Sequence, residues 1–328
     1  MASQPAVEVA ARPRRRKWLD FGALIIANAM FGAQYPATKA AVSGLGPTLL
    51  SILTFLLASI CVLPFLIAEA RAFPKQLPLR RLGSKEFRFP FLMATVFGLL
   101  PASVVLSWGV DRSLASNGAL LTLSIPVLTA MVASAVRTER MTTLRWLSFA
   151  LAVVGAAITS EIEWRTLSLA NSRYLFGNAL VLVGCLGNGF NNVFSKELLE
   201  RYSPVRLLVV TYLATAVFCV PILLWFEPQA LQTLLSAPAK TWFGLLVLGA
   251  FSWGLGMVIW FRLLARLEAT QVAVSLYLLP FFGILLSAIF LGEKISSAII
   301  AGGCLSAVGT AVVLFEDVRP RAKSEAVI

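Results

Sequence analysis

The chain has 328 residues, of which 58% are hydrophobic and 13% charged, and its mean hydropathy is +0.82. Soluble domains have about 25% charged and roughly 45–50% apolar residues. This composition excludes a soluble globular protein and predicts a polytopic membrane protein. The net charge of +12 is explained by membrane topology, as described below, and does not indicate a nucleic-acid partner.

Ten apolar runs, separated by short charged segments, predict ten transmembrane helices. Several runs contain proline or glycine, which membrane helices tolerate when neighbouring groups satisfy the freed backbone. The predicted fold class is therefore an all-α membrane protein. In chain order the runs lie near 20–42, 48–69, 89–110, 115–136, 145–160, 174–196, 205–226, 241–262, 270–292 and 297–315.

Lysine and arginine are distributed unequally between the two sides of the predicted bundle. If the N-terminus is cytoplasmic, 22 of the 28 basic residues fall in cytoplasmic segments, five in outer segments and Lys39 within a span. The positive-inside rule favours this orientation. We therefore expect a multi-pass protein of the cytoplasmic (inner) membrane with both termini in the cytoplasm. The alternative, a cleaved signal peptide, leaves only a short apolar stretch at 21–26 and removes the first span.

Two sets of residues recur at a constant spacing, which indicates an internal repeat. A spacing of 154 positions relates Ala115, Pro126, Glu139 and Gly155 to Ala269, Pro280, Glu293 and Gly309. A spacing of 157 relates Gly32, Lys39, Pro47 and Pro64 to Gly189, Lys196, Pro204 and Pro221. Each copy has five spans, and because that number is odd, the copies lie in opposite orientations. Secondary transporters commonly have such inverted repeats, with binding sites near the midplane between the halves.

These motifs resemble the EamA branch of the drug/metabolite transporter superfamily, whose members have ten helices in two tandem EamA units. The most specific motif is alanine, proline and an acidic–basic pair in "ASNGALLTLSIPVLTAMVASAVRTER" and "ATQVAVSLYLLPFFGILLSAIFLGEK". The resemblance implies a transporter, in a family that includes exporters of amino acids and other metabolites and some vitamin importers. The predicted segments are an N-terminal tail (1–19), a first repeat (20–160), an extracytoplasmic linker (161–173), a second repeat (174–316) and a C-terminal tail (317–328).

Groups that could carry catalysis are scarce in this sequence. It has no histidine, its carboxylates fall at predicted helix ends or in loops, and its four cysteines are isolated from one another. Acid–base catalysis in a membrane enzyme needs paired carboxylates, a histidine cluster or a metal site. We therefore expect no enzyme activity, no metal and no cofactor. The expected partners are a small-molecule metabolite and the lipid bilayer, and the oligomeric state, monomer or homodimer, is left open.

The polar and aromatic residues within the predicted spans are candidates for substrate binding. On the first helix, polar residues at spacings of seven and four share one face, and the sixth helix has a similar face. The fourth, eighth and ninth helices add further polar and aromatic side chains. The full candidate set is Asn28, Tyr35, Lys39, Asn117, Asn188, Asn192, Lys196, Trp253, Gln271 and Tyr277.

Each candidate also has a purely structural interpretation. Asparagine and glutamine in membrane helices often form hydrogen bonds between helices, and lysine near a helix end can extend to the interface. We predict that the chain moves a small organic metabolite, such as an amino acid or a related compound, by alternating access, and that it exports it. The alternatives are a vitamin-type importer of the same fold and, from another class, a receptor or assembly subunit that transports nothing.

The stretch "FGAQYPATKAAV" at 31–42 carries the sharpest binding hypothesis. Pro36 removes a backbone donor, which predicts a kinked or opened helix there. Lys39 follows the proline, and Lys196 occupies the equivalent position of the second repeat. We expect Lys39, with Tyr35 and Asn192, to contact an anionic or carboxylate-bearing substrate, and Lys196 to do so from the cytoplasmic side.

Overall fold

The computed structural model describes residues 14–34, 37, 41, 44–72, 83–112, 121–136, 142–159, 172–279, 281–283, 285–286 and 297–315. Over these ranges the secondary structure is helical, with no β-strand. Four of the described helices are long and apolar enough to cross a membrane: Pro47–Glu69, Arg88–Gly109, Pro204–Phe226 and Ala239–Leu264.

Ten helices follow one another along the described ranges. Two of them, α3 and α8, combine α-helical and π-helical segments, and α9 contains a 3₁₀ turn after which the described residues 279, 281–283 and 285–286 are again helical. A short helix, Ala230–Ser236, connects α7 to α8. The bounds are α1 Arg14–Gly32, α2 Pro47–Ala72, α3 Arg88–Ala94 through Leu106–Asp111, α4 Ile125–Ala135, α5 Thr143–Thr159, α6 Ser172–Leu198, α7 Pro204–Phe226, α8 Ala239–Leu246 through Met257–Leu264, α9 Ala269–Val274 with Ser275–Leu278, and α10 Ser297–Phe315.

Most helices begin and end within a few residues of the predicted runs. The start of α4 and the end of α9 cannot be compared, because the neighbouring residues lie outside the described ranges. A clear difference is α1, which is helical from Arg14 although the apolar run begins near residue 20. Arginine and lysine are good helix formers, so the basic residues before the run can be part of the helix. Hydropathy therefore marks where a helix enters the membrane, which is not the residue at which the helix begins.

The two repeats interlock, because the first helix of each packs against the other repeat. Helix α1 packs against α8 and α9, and α6 packs against α3 and α4. The pairs α2–α7 and α5–α10 join equivalent helices across the pseudo-symmetry axis. An inverted repeat predicts this pattern, since the operation that relates the copies also exchanges their partners.

Equivalent glycines at the α1–α9 and α6–α4 crossings show the symmetry at the level of single residues. A Cβ atom on Gly32 would lie 2.8 Å from Phe282 Cβ and 3.0 Å from the Gly283 nitrogen. A Cβ on Gly189 would lie 3.2 Å from the Thr129 nitrogen and 3.3 Å from the Leu128 carbonyl carbon. Gly32 and Gly189 are 157 positions apart, and the residues that they contact are 154 positions apart. These are the two repeat spacings found in the sequence. The helix backbones approach closely at both crossings, and more closely at Gly32 than at Gly189.

Helices α3 and α8 contain π-helical segments in their central parts. In α3 these are Thr95–Leu99 and Pro101–Val105, and in α8 the segment is Val247–Gly256. Pro101 lacks a backbone N–H, which shifts the hydrogen-bond pattern around it. π-Helical segments are frequent at functional sites. Because α3 and α8 are equivalent helices, each repeat contributes one helix with a π-helical part.

Helices α2 and α7 are tied together at both ends by carboxylates that accept hydrogen bonds from helix N-termini. Glu69, near the end of α2, accepts from the backbone N–H of Val205 at 3.2 Å. Glu227, just after α7, accepts from Thr48 at 2.7 Å and from Leu49 at 3.1 Å. The first N–H groups of a helix have no intrahelical acceptor, so these carboxylates satisfy them. We refer to the two ends of the bundle as the Glu69 face and the Glu227 face.

Candidate functional site

Asn28 lies at the crossing of α1 and α9 and is completely buried. Its Nδ2 atom donates to the Leu24 carbonyl oxygen at 2.8 Å and to Ser275 Oγ at 2.9 Å. Ser275 Oγ in turn donates to the Val272 carbonyl at 2.7 Å. The Oδ1 atom of Asn28 is also buried and has no hydrogen-bond donor among the described residues. The crossing therefore contains one strong acceptor that the protein leaves unsatisfied.

At the equivalent crossing of α6 and α4, the positions that correspond to Asn28 and Ser275 carry apolar side chains. Cys185 occupies the position equivalent to Asn28, and Leu121 the position equivalent to Ser275. The Cys185 thiol lies 3.6 Å from the Leu121 carbonyl oxygen, within an apolar cluster that includes Ile125 and Val181. Thiols are weak donors and behave as small apolar groups when buried. The Asn28–Ser275 pair therefore has no polar equivalent at the same two positions of the other crossing.

Asn192 on α6 is held by the protein at both ends of its amide. Its Nδ2 donates to Thr129 Oγ1 on α4 at 3.4 Å, and its Oδ1 accepts from Trp260 Nε1 on α8 at 3.3 Å. The Trp260 ring also contacts Phe31 of α1, with ring centroids 5.6 Å apart. Trp260 thus connects the Asn192 group to α1 and ties four helices together at the centre of the bundle.

Two of the other predicted residues form local hydrogen bonds, and a third lies at the end of a helix. Asn188 donates to the Gly184 carbonyl oxygen on its own helix at 3.2 Å. Gln271 accepts from the backbone N–H of Glu268 at 3.3 Å and so caps the start of α9. Lys196 is half-buried in the last turn of α6. The structure places none of these three in the Asn28 group.

Trp253 and Tyr277 lie on the second-repeat helices next to α1. Trp253 is in the π segment of α8; its ring is 5.5 Å from that of Phe55, and its carbonyl oxygen accepts from the Tyr212 hydroxyl at 2.8 Å. Tyr277 is fully buried in the 3₁₀ turn, two residues after Ser275. The structure therefore brings Tyr277 into the same turn as the Asn28 partner and packs Trp253 in an aromatic cluster. Tyr35, Lys39 and Asn117 lie outside the described residues.

Sequence reasoning did not single out several residues that shape the site. Ser275 and Trp260 supply partners to the two central asparagines. Ser252, also in the π segment of α8, donates to the Met30 carbonyl oxygen at 2.7 Å. A tryptophan in an apolar span could have been a signal, because a buried indole N–H needs an acceptor. The two serines carry no such signal, since their roles depend on contacts with another repeat.

Arg145 at the start of α5 was counted as a topology-determining charge, yet only 1% of its side chain is exposed. It forms an ion pair with Glu268, immediately before α9, and lies 3.4 Å from Thr270 Oγ1. The pair joins the two repeats at the Glu69 face and fixes the start of the helix that carries Ser275 and Tyr277. In the described part of the chain no three His, Cys, Asp or Glu side chains cluster as metal ligands.

A model of the EamA-like transporter family matches residues 20–161 and 175–315, which together span most of the chain. The chain belongs to the EamA-like transporter family. It is accordingly a multi-pass membrane protein of two EamA repeats and a transporter of small metabolites. At each of the two crossings, a helix of one EamA repeat packs against a helix of the other repeat.

Several curated proteins are similar to this EamA-like chain over most of their length. One, from Streptantibioticus cattleyicolor, is named "Probable terminal-alkyne amino-acid exporter" and is 25% identical over 89% of this chain and 92% of its own. Another, from Salmonella typhimurium, is named "Probable amino-acid metabolite efflux pump" and is 24% identical over 87% and 91%. An uncharacterized transporter from Archaeoglobus fulgidus is 26% identical over 91% and 99%.

A solved crystal structure has the same fold, with a TM-score of 0.71 and 17% sequence identity. The alignment covers 92% of this chain and 96% of the other. At this identity the likeness concerns the arrangement of the helices alone.

Proposed function

We propose that this chain exports an amino acid or a closely related metabolite across the cytoplasmic membrane by alternating access, without enzyme activity. The observation that carries the proposal is the likeness, along most of the chain, to two proteins named for amino-acid export or efflux. The buried polar group at the α1–α9 crossing supports it, because buried polar residues in membrane helices commonly mark substrate pathways.

We also propose that the Glu69 face is cytoplasmic and the Glu227 face is external. The positive-inside bias of 22 against five basic residues supports this orientation. Reporter fusions after Glu69 and after Gln232 are expected to report the cytoplasm and the outside, respectively. Reversed signals would reverse the orientation and make the predicted direction of export untenable.

Transport assays in purified proteoliposomes and in cells test the proposed activity. Vesicles that contain the protein are expected to exchange a radiolabelled amino acid faster than protein-free vesicles. Cells preloaded with that amino acid are expected to lose it faster when they produce the protein. Faster accumulation from the medium would instead support an importer, and no flux of any of the twenty common amino acids would contradict the proposed substrate class.

Lys39 remains a proposed contact for the substrate carboxylate, and its position outside the described residues leaves this to experiment. Lys39 follows Asn28 in the first predicted span, toward its outer end, so we propose that Lys39 acts closer to the Glu227 face than Asn28 does. Lys39→Gln at normal membrane abundance is expected to reduce transport strongly, and Lys39→Arg is expected to retain part of it. Wild-type transport by Lys39→Gln would assign the lysine to the membrane interface.

A further inference from the structure

We propose that Oδ1 of Asn28 accepts a hydrogen bond from the ammonium group of the transported amino acid. This inference rests on the proposed function, because it assigns one group of the proposed substrate to one atom of the protein. Asn28 is fully buried at the crossing of α1 and α9, and its oxygen has no donor. At the other repeat interface the position equivalent to Asn28 is Cys185, which offers no comparable acceptor.

The orientation of the Asn28 amide is fixed by its partners. The Leu24 carbonyl oxygen can only accept, so the amide nitrogen must face it. The Ser275 hydroxyl donates its hydrogen to the Val272 carbonyl oxygen, so toward Asn28 it can only accept. Both N–H groups of the amide are therefore used within the protein. Flipping the amide would break both bonds, so Oδ1 is the atom that remains available.

Asn192 and Asn28 differ in whether the protein supplies a hydrogen-bond donor to the side-chain oxygen. The Asn192 oxygen accepts from Trp260, and its nitrogen donates to Thr129. Among the asparagines of the described ranges, Asn28 is the one whose buried side-chain oxygen has no donor. A buried acceptor without a donor is unfavourable, and an N–H group of a bound substrate would satisfy it.

The chemistry of the open acceptor points to an ammonium group. A protonated amine has three N–H donors, and hydrogen bonds from charged donors are stronger than those between neutral groups. A neutral amide also binds a cation less tightly than a carboxylate does, which suits a site that must release its ligand. In the described conformation the oxygen is enclosed, so the substrate reaches it when α1 and α9 move apart.

The test compares substrates that differ only at the amine. Counterflow in proteoliposomes first identifies the fastest of the twenty common L-amino acids. Its des-amino carboxylic acid and its N-trimethylated betaine then compete with it. The wild type is expected to prefer the amino acid over the des-amino acid by roughly tenfold to a hundredfold in inhibition constant. The betaine keeps the positive charge but has no N–H group, so it is expected to compete as poorly as the des-amino acid.

Variants then assign this preference to Asn28. Asn28→Leu removes the acceptor at similar volume and is expected to abolish the preference for the amine. Asn191→Leu is the matched control: this asparagine is also buried and donates to the Ala94 carbonyl oxygen at 3.0 Å on another interface. The control is expected to keep the wild-type preference even where it reduces the amount of folded protein.

The outcomes separate this inference from the proposed function. No transport of any amino acid by the wild type would overturn the proposed function and this inference with it. Amino-acid transport with an undiminished amine preference in Asn28→Leu would overturn the inference alone. If Asn28→Leu does not reach the membrane, betaine competition with the wild-type protein tests the hydrogen-bond assignment instead. Competition by the betaine equal to that of the amino acid would overturn the hydrogen-bond assignment, and weak competition would support it.

Discussion

The crossing of α1 with α9 and the crossing of α6 with α4 share a backbone arrangement but differ in chemistry. Gly32 and Gly189 make equivalent close contacts in the two crossings. About one helical turn before each glycine, the side chains differ. One crossing has Asn28 hydrogen-bonded to Ser275, and the other has Cys185 against Leu121. The symmetric backbone provides two similar moving interfaces. At this level of the helices, the side chains make only one of them polar.

The same asymmetry recurs at the ends of the bundle. Arg145 and Glu268 form an ion pair between the repeats at the Glu69 face. Their sequence equivalents in the other repeats are Ile299 and Leu114, which cannot form an ion pair. The structure thus has an ionic tie at one face without a charged counterpart in sequence at the other. We expect the energetic cost of opening the bundle to differ between its two faces.

Breaking the ionic tie is expected to have the largest effect on stability. Glu268→Leu leaves the guanidinium of Arg145, 1% exposed, without its carboxylate, and is expected to lower the free energy of unfolding by about 3–5 kcal/mol. Arg145→Leu should cost less, because the Glu268 side chain is 37% exposed and can be hydrated. Equilibrium unfolding in bicelles measures both values. Equal losses in the two variants would contradict this account of the pair.

The two glycines allow the crossings to be compared directly. Gly32→Ala places a Cβ 3.0 Å from backbone atoms of α9, and is expected to destabilise by about 1–3 kcal/mol through overpacking. Gly189→Ala has contacts of 3.2–3.3 Å, and the helix-propensity gain of about 1 kcal/mol offsets much of the cost. Thermal unfolding of both variants in one detergent tests the difference. The distances predict a lower melting temperature for Gly32→Ala. A lower melting temperature for Gly189→Ala would contradict this prediction.

The carboxylates that tie α2 to α7 should give the smallest effects. Glu227→Ala removes an acceptor from two backbone N–H groups and is expected to cost about 1–2 kcal/mol. Glu69→Ala removes one such bond and a 3.7 Å ion pair with the exposed Arg262, and is expected to cost about 1 kcal/mol. Glu227→Gln, which keeps one acceptor oxygen, should fall between Glu227→Ala and the wild type. Thermal unfolding again ranks the variants, and a greater loss for Glu69→Ala would reverse the expected order.

Hydropathy and the repeat spacings allowed the fold class to be predicted from sequence. Transmembrane helices carry their signal in local composition, and the spacings of 154 and 157 state which residues are equivalent. The contacts of Gly32 and Gly189 follow these spacings. The π segments of α3 and α8 could not be predicted, because the shift of hydrogen bonds there depends on packing as well as on Pro101.

The candidate site was only partly predictable. Asn28 and Asn192 look alike in sequence, since both are asparagines in apolar helices. Their difference depends on Ser275 and Trp260, which lie 247 and 68 positions away. Arg145 was predictable as a positive charge on the cytoplasmic side, but not as a buried one. Its partner follows α8, and no local pattern connects the two.

The exchange of partners between repeats has a consequence for the order in which the chain can fold. Helix α1 is made first, yet the groups it contacts at Met30 and Asn28 follow 222 and 247 residues later. At a synthesis rate of roughly 5–20 residues per second, the second interval lasts on the order of 12–50 seconds. During that time the Asn28 amide can bond to Leu24 but not to Ser275. Helix α1 therefore resides in the bilayer without its final neighbours until almost the whole chain has been translated.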